Sequence, residues 1–152
     1  MKARFVLENM DFERSRDPRK TLGIGKIHLE QFKDVIITAL EGGSNYWYMI
    51  DGRDYRDNLP PKSPEMQSMS ERIAYALYTD PNFILPVYDA ETADSKNPDL
   101  LGKVTQASMF KAFQIAEEDY PNAYENIMNE EYDADDADII FQIATMGELT
   151  FG

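Results

Sequence analysis

The sequence predicts an α+β fold in a single domain: a small mixed sheet of four or five strands with three main helices packed on one face. Three observations lead there. Apolar residues recur every three or four positions in some stretches and alternate in others, so helical and strand periods are both present. A chain of 152 residues is the length of one ordinary domain, and 43% apolar with 28% charged residues are the proportions of a folded globule. No internal repeat, low-complexity tract or interdomain linker divides residues 1–152.

Ala3, Phe5 and Leu7 alternate with Arg4, Val6 and Glu8, which predicts a first strand. The charged stretch that follows, with Asp17-Pro18 and two closing glycines, is a loop carrying a basic cluster of Arg14, Arg16, Arg19 and Lys20. From Ile27 the period changes. Leu29, Phe32, Val35, Ile36, Ala39 and Leu40 fall on one stripe of a helix of about 14 residues, which Gly42 and Gly43 end by supplying a left-handed turn. Asn45, Trp47 and Met49 then alternate with Tyr46, Tyr48 and Ile50. Both sides are largely apolar or aromatic, so this stretch predicts a central strand with Trp47 in the core. Together with the first helix it forms the expected centre of the domain.

Residues 51–64 carry one glycine and three prolines and predict a turn and loop. Ser68 and Glu71 match a capping box, opening a second helix through Met69, Ile73, Ala76 and Leu77 that stops near Asp80-Pro81. Residues 82–91 predict a strand whose Pro86 has no N–H for a ladder and so belongs at an edge or a bulge. A polar loop and a short strand over 100–105 follow. A third helix starts near Thr105, with Met109, Phe110, Phe113 and Ala116 on one face, and ends at Tyr120-Pro121. A short helical segment, a final helix closed by Gly147 and a terminal strand or tail complete the chain.

Composition narrows the chemistry. Without cysteine there is no disulfide, no thiolate nucleophile and no thiolate metal site, and the single histidine, His28, leaves no Ser-His-Asp system easy to assemble. No stretch nears 18 consecutive apolar residues and the N-terminus lacks a signal peptide's apolar core, so neither a membrane partner nor export is expected. The formal charge of −13 is uneven. Residues 1–33 hold eight basic and five acidic side chains, whereas residues 112–152 hold eleven acidic ones and neither Lys nor Arg. Such a C-terminal field repels nucleic acid and attracts cations and basic surfaces.

Four features carry candidate chemistry, each beside a plainer structural role. Asp133, Asp135, Asp136 and Asp138 offer oxygens for a hard cation, but Asp138 stands where a calcium loop needs glycine and Ala144 where it needs an acid. Capping of the following helix explains them with no metal or other cofactor. The stretch from Leu22 to Gly25, after Arg19 and Lys20, offers N–H groups to an anion but matches no phosphate-binding fingerprint. Paired carboxylates are inevitable among 28 acids and carry no information by themselves. Asn45, Tyr46, Trp47 and Tyr48 are either a core strand or a binding platform; with only Arg53 and Arg56 nearby, a nucleic-acid stacking platform is the weaker form.

Two motifs carry a resemblance. Ala39-Leu40-Glu41-Gly42-Gly43 with Asn45, Tyr46 and Trp47, and Asp135 and Asp138 ahead of Gln142, Ala144, Gly147, Glu148 and Gly152, are similar to a group of small bacteriophage and prophage proteins. The resemblance covers about a quarter of the chain. It implies expression in the cytoplasm of a bacterial host and carries no catalytic residue. Asn45 and Gln142 stand out as polar residues in apolar surroundings; if buried, each needs partners and serves either to tie down the chain or to touch a ligand.

The expected function is a non-enzymatic acidic protein that binds a host or phage macromolecule. Its partner is a basic or nucleic-acid-binding protein, with nucleic-acid mimicry as the sharper form and no direct nucleic-acid binding. Glu130, Glu131, Asp133, Asp135, Asp136 and Asp138 are the acidic-surface candidates, and Asn45, Tyr46, Trp47, Tyr48 and Gln142 the candidates for a ligand or partner site. The alternatives are a small-molecule-binding protein or enzyme with a pocket beside Tyr46, Trp47 and Tyr48, and a structural subunit that oligomerises through an apolar patch.

Overall fold

The computed structural model describes residues 27–151. The expected strand over residues 3–8, the basic cluster Arg14, Arg16, Arg19 and Lys20, the glycine loop at 22–25 and the terminal Gly152 lie outside the described residues. Helix α1 (Leu29–Thr38) runs into a π-helical turn (Ala39–Gly43), followed by β1 (Tyr48–Met49), the short α2 (Gly52–Tyr55) and α3 (Met69–Thr79). Strands β2 (Leu85–Asp89) and β3 (Leu100–Val104) precede α4 (Gln106–Asp119), α5 (Pro121–Met128) and α6 (Ala134–Met146).

Helix and strand are both present, as an α+β fold requires, with two corrections. Among the described residues the sheet has three strands, all antiparallel in the order β1-β2-β3, not four or five in a mixed sheet. There are six α-helices among these residues, not three. The centre also moves. The segment expected as a central strand over 46–50 is an edge strand of two residues, and β2 lies between the other two.

Pro86 fits its middle strand for a local reason. It pairs with Lys103 of β3, whereas β1 reaches only Tyr88 and Asp89, so the missing N–H of Pro86 leaves no gap in a two-sided ladder. The register shifts between Val87 and Tyr88, where Leu101 is the extra residue of a bulge.

The helices begin and end where local chemistry dictates. Ser68 accepts from the Glu71 N–H while Glu71 accepts from the Ser68 N–H, the reciprocal box that opens α3. Thr105 and Ser108 do the same for α4, and Asp133 with Asp136 for α6. Gly147, at φ 87°, takes the left-handed position that closes α6.

Helix α6 is the hub. Ala137, Ile140, Phe141, Gln142, Ile143, Ala144 and Thr145 are all buried, because α1, α4, α5, β3 and the π-helical turn pack around it. Phe32, Phe110, Phe113 and Phe141 are wholly buried, each contributing about 1.5–3 kcal/mol through lost apolar hydration. Strand β3 approaches α6 so closely at Gly102 that a Cβ there would collide with the main-chain carbonyl of Thr145. Because neither backbone yields cheaply, Gly102→Ala is expected to cost about 2–3 kcal/mol in urea unfolding. A cost below about 0.5 kcal/mol would mean that the sheet and α6 are not in this register.

Candidate functional site

The π-helical turn sets the geometry. The Ser44 N–H donates to the Ala39 carbonyl five residues back (3.1 Å), and Gly42 sits at φ 151°, a conformation that favours glycine. The Trp47 N–H then donates to the Ser44 carbonyl (3.2 Å), so residues 44–47 form a bend and turn instead of continuing as a strand. This turn breaks the expected alternation: Trp47 and Tyr48, neighbours in sequence, are both buried, while Asn45 and Tyr46 are exposed.

What the turn delivers is a set of donors aimed at one carboxylate. Asp138, only 6% exposed, accepts at Oδ1 from Ser44 Oγ (2.6 Å) and Trp47 Nε1–H (2.8 Å). At Oδ2 it accepts from Tyr46 Oη (2.6 Å) and Gln142 Nε2–H (2.9 Å). All four donors are neutral, and together they occupy both oxygens.

Gln142, fully buried one turn further along α6, extends the network to the chain end. Its Oε1 accepts from the N–H groups of Thr150 (2.9 Å) and Phe151 (2.7 Å), and its Nε2 donates to the Phe151 carbonyl (3.1 Å). The Phe151 ring stacks on Trp47 at 5.5 Å with the planes 13° apart, and Phe141 and Tyr48 pack against Trp47 at 5.7 and 5.4 Å. The glycine-aromatic motif and the C-terminal motif are therefore the two halves of one clasp. Residues 44–47, α6 and residues 150–151 meet on Asp138 and Gln142.

Of the ligand-site candidates, Tyr46, Trp47 and Gln142 come together with Asp138, Tyr48 packs beside them through its ring, and Asn45 remains on the surface. Trp47 is 2% exposed, with Phe151 over one face of its ring. Its recognition surface is thus already filled by the protein itself. A cleft of about 260 Å³ between the π-helical turn and the start of α3 is lined instead by Leu40, Glu41, Ile50, Met69, Ser70 and Ile73, with the Ser70 hydroxyl donating to Glu41.

The acidic-surface candidates divide. Glu130, Glu131, Asp133 and Asp135 are exposed and Asp136 is half-buried. Asp138 is a correction: it is buried and points into the clasp, so it is not part of the exposed acidic surface. Capping uses part of the acid run, since Asp133 Oδ1 accepts from the Asp136 N–H (3.0 Å) and Asp136 Oδ2 accepts from the Asp133 N–H (3.1 Å). Among the described residues no cluster of three or more His, Asp or Glu is placed to hold a metal ion. No helix of these residues is long and apolar enough to cross a membrane.

Asp138, Ser44, Thr150 and Phe151 join this site beyond the candidates the sequence offers for it. Asp138 was hidden in the acid run, yet its signal is there: it lies three, four and seven residues before Phe141, Gln142 and Thr145, on the same inward face of α6.

Two phenols mark the environment. Desolvation, then the hydrogen bond to Asp138, pushes Tyr46 up to about 12; burial, with Tyr55 nearby, pushes Tyr48 up to about 12. Since the fold favours the protonated phenols, their contribution is complete below the unfolded value of about 10 and declines as pH rises from about 10 to 12. Stability is expected to fall across that window, with the two phenolates appearing in the ultraviolet spectrum as the chain opens. Ionisation of Tyr46 near pH 10 in the folded protein would contradict its hydrogen bond to Asp138.

Comparison of the chain with protein-family models, with curated proteins and with solved structures gives no match.

Proposed function

We propose that this is a non-enzymatic binding protein, of bacteriophage or prophage origin, that acts in a bacterial host by offering an acidic surface to a basic or nucleic-acid-binding protein. The observation that carries the reading is the placement of the C-terminal acids. Nine of the eleven acidic side chains in residues 112–152 are exposed, and neither Lys nor Arg lies among them in sequence. Carboxylates spread over the ends of α4 and α5 and the turn into α6 create a field that attracts cationic surfaces and repels phosphates. In its sharper form the surface occupies a DNA-binding groove in place of nucleic acid.

The backbone adds support. Glu130, between α5 and α6, sits at φ 60°, a left-handed conformation that costs a non-glycine residue about 1 kcal/mol. A charged side chain held there, rather than a glycine, fits a surface selected for its charge. The clasp lends the small-molecule alternative no support, because the groups of Asp138 and Gln142 are already engaged within the chain.

The test is capture of heparin-binding proteins from a bacterial lysate on the immobilised chain, followed by duplex DNA as competitor. Specific proteins should be retained at low salt, displaced by the duplex, and held about tenfold more weakly by the E130Q/E131Q/D135N variant. Retention indifferent to salt, to DNA and to the three substitutions would end the proposal.

A further inference from the structure

We infer that the cleft between the π-helical turn and the start of α3 receives a lysine side chain from the basic partner, an inference that rests on the function proposed above. The cleft, of about 260 Å³, is lined mostly by apolar side chains and by a single acid, Glu41. Leu40 comes from the π-helical turn, Ile50 follows β1, and Met69 and Ile73, one turn apart, share a face of α3. Ile73 is wholly buried and Met69 is 39% exposed, so apolar surface runs from the interior out to solvent.

An apolar cleft alone does not choose its occupant; the carboxylate of Glu41 does, because it is held in place and its charge is not balanced. Ser70, 7% exposed and also part of the lining, donates its hydroxyl proton to Glu41 Oε2. With that proton committed, Ser68 is the donor in the 3.2 Å contact between the two serine hydroxyls, and Ser68 Oγ in turn accepts from the Glu71 N–H (3.1 Å). A chain of bonds thus runs from the α3 cap to Glu41 and fixes the carboxylate without cancelling its charge. Among the described residues no Lys or Arg forms an ion pair with Glu41. The helix ends favour a cation as well. Glu41 lies in the π-helical turn that finishes α1, where carbonyl dipoles attract positive charge, and the N-terminus of α3 is already met by Glu71, which accepts from the N–H groups of Gln67 (3.1 Å) and Ser68 (2.9 Å).

The lining fits lysine better than arginine. One oxygen of Glu41 is committed to Ser70, which obstructs the parallel two-oxygen pairing a guanidinium prefers, whereas an ammonium needs a single oxygen. The methylene stem of a lysine lies along Leu40, Ile50, Met69 and Ile73 while its charge stays at the exposed carboxylate. A wholly apolar side chain would leave Glu41 unused.

The test is a methyl NMR titration of the full chain with N-acetyl-lysine methylamide, N-acetyl-arginine methylamide and N-acetyl-norleucine methylamide, the last having the lysine stem without its ammonium. The lysine amide is expected to shift the methyl signals of Leu40, Ile50, Met69 and Ile73 selectively and to bind at least several-fold more tightly than either of the others. Glu41→Gln, a change at an exposed position, should leave the fold intact and weaken lysine amide binding about threefold to fivefold, the weight of one exposed ion pair. Ser70→Ala frees the second oxygen, so the preference for lysine over arginine should shrink. Absence of shifts at these methyls, equal binding of the three amides, or unchanged affinity in Glu41→Gln would each overturn the site. So would a lysine preference that Ser70→Ala leaves as it was. None of these touches the broader proposal, since Glu130, Glu131 and Asp135, on which its capture test depends, do not line this cleft.

Discussion

Replacement of Asp138 by alanine is expected to lower the stability of the fold by about 4 kcal/mol. Removing the carboxylate strands two fully buried donors, Ser44 Oγ and Trp47 Nε1, each costing about 1–3 kcal/mol when unpaired. Tyr46, a residue 55% exposed, can turn its hydroxyl to water, and Gln142 keeps the Phe151 carbonyl, so those two donors add little. For a chain of 152 residues the loss amounts to a fall of about 10–15 °C in Tm. Asp138→Asn separates shape from chemistry. Its carbonyl can still accept from Ser44 and Trp47, but its amide would face the Gln142 amide donor to donor, so about 1–2 kcal/mol should be lost. Urea unfolding of the two variants measures the difference. A cost below 1 kcal/mol for Asp138→Ala would show that the four donors do not converge on this carboxylate.

Trp47→Ala should be comparably severe, about 3–5 kcal/mol. The indole fills the space between Phe141, Tyr48 and Phe151, and its removal opens a cavity under the C-terminal residues while freeing one bond to Asp138. Phe151 loses its stacking partner, which leaves Gln142 alone to hold the tail. Trp47→Phe restores most of the packing but not the N–H, so it should recover all but about 1–2 kcal/mol. An equal loss in Trp47→Phe and Trp47→Ala would put the whole effect in the hydrogen bond and contradict the stacking. Since this is the only tryptophan, unfolding of Trp47→Phe is followed by circular dichroism instead of fluorescence.

What could be read from the sequence was what short range decides. The caps at Ser68, Thr105 and Asp133, the stops at Asp80-Pro81 and Gly147, and the buried stripe of α1 all arise from residues within four positions of one another. The sheet depends on pairing across the chain, and there the expectation failed. Tyr46, Trp47 and Tyr48 are strong strand formers, yet Ser44 turns the backbone because the long-range bonds from Ser44, Tyr46 and Trp47 to Asp138 outweigh local preference. The same separation, more than 90 residues, hid the meeting of the two motifs. Gln142 was visible as a polar residue on an apolar face, but its role in tying down the chain end is defined by Thr150 and Phe151.

The chain divides into a closed interior and a charged exterior. Asp138 and Gln142 are the kind of buried polar pair that in another fold would greet a substrate. Here their partners are the chain's own Ser44, Tyr46, Trp47, Thr150 and Phe151, so both side chains are engaged within the chain. Hydrogen exchange of the Trp47 indole N–H, followed by NMR at neutral pH, tests the division directly. A closed clasp predicts exchange slowed to the rate of global unfolding, because the proton is released only when the fold opens. Exchange at the rate of an exposed indole would mean that the tail lifts from Trp47 in the native state, and the interior would then be a site open to ligands.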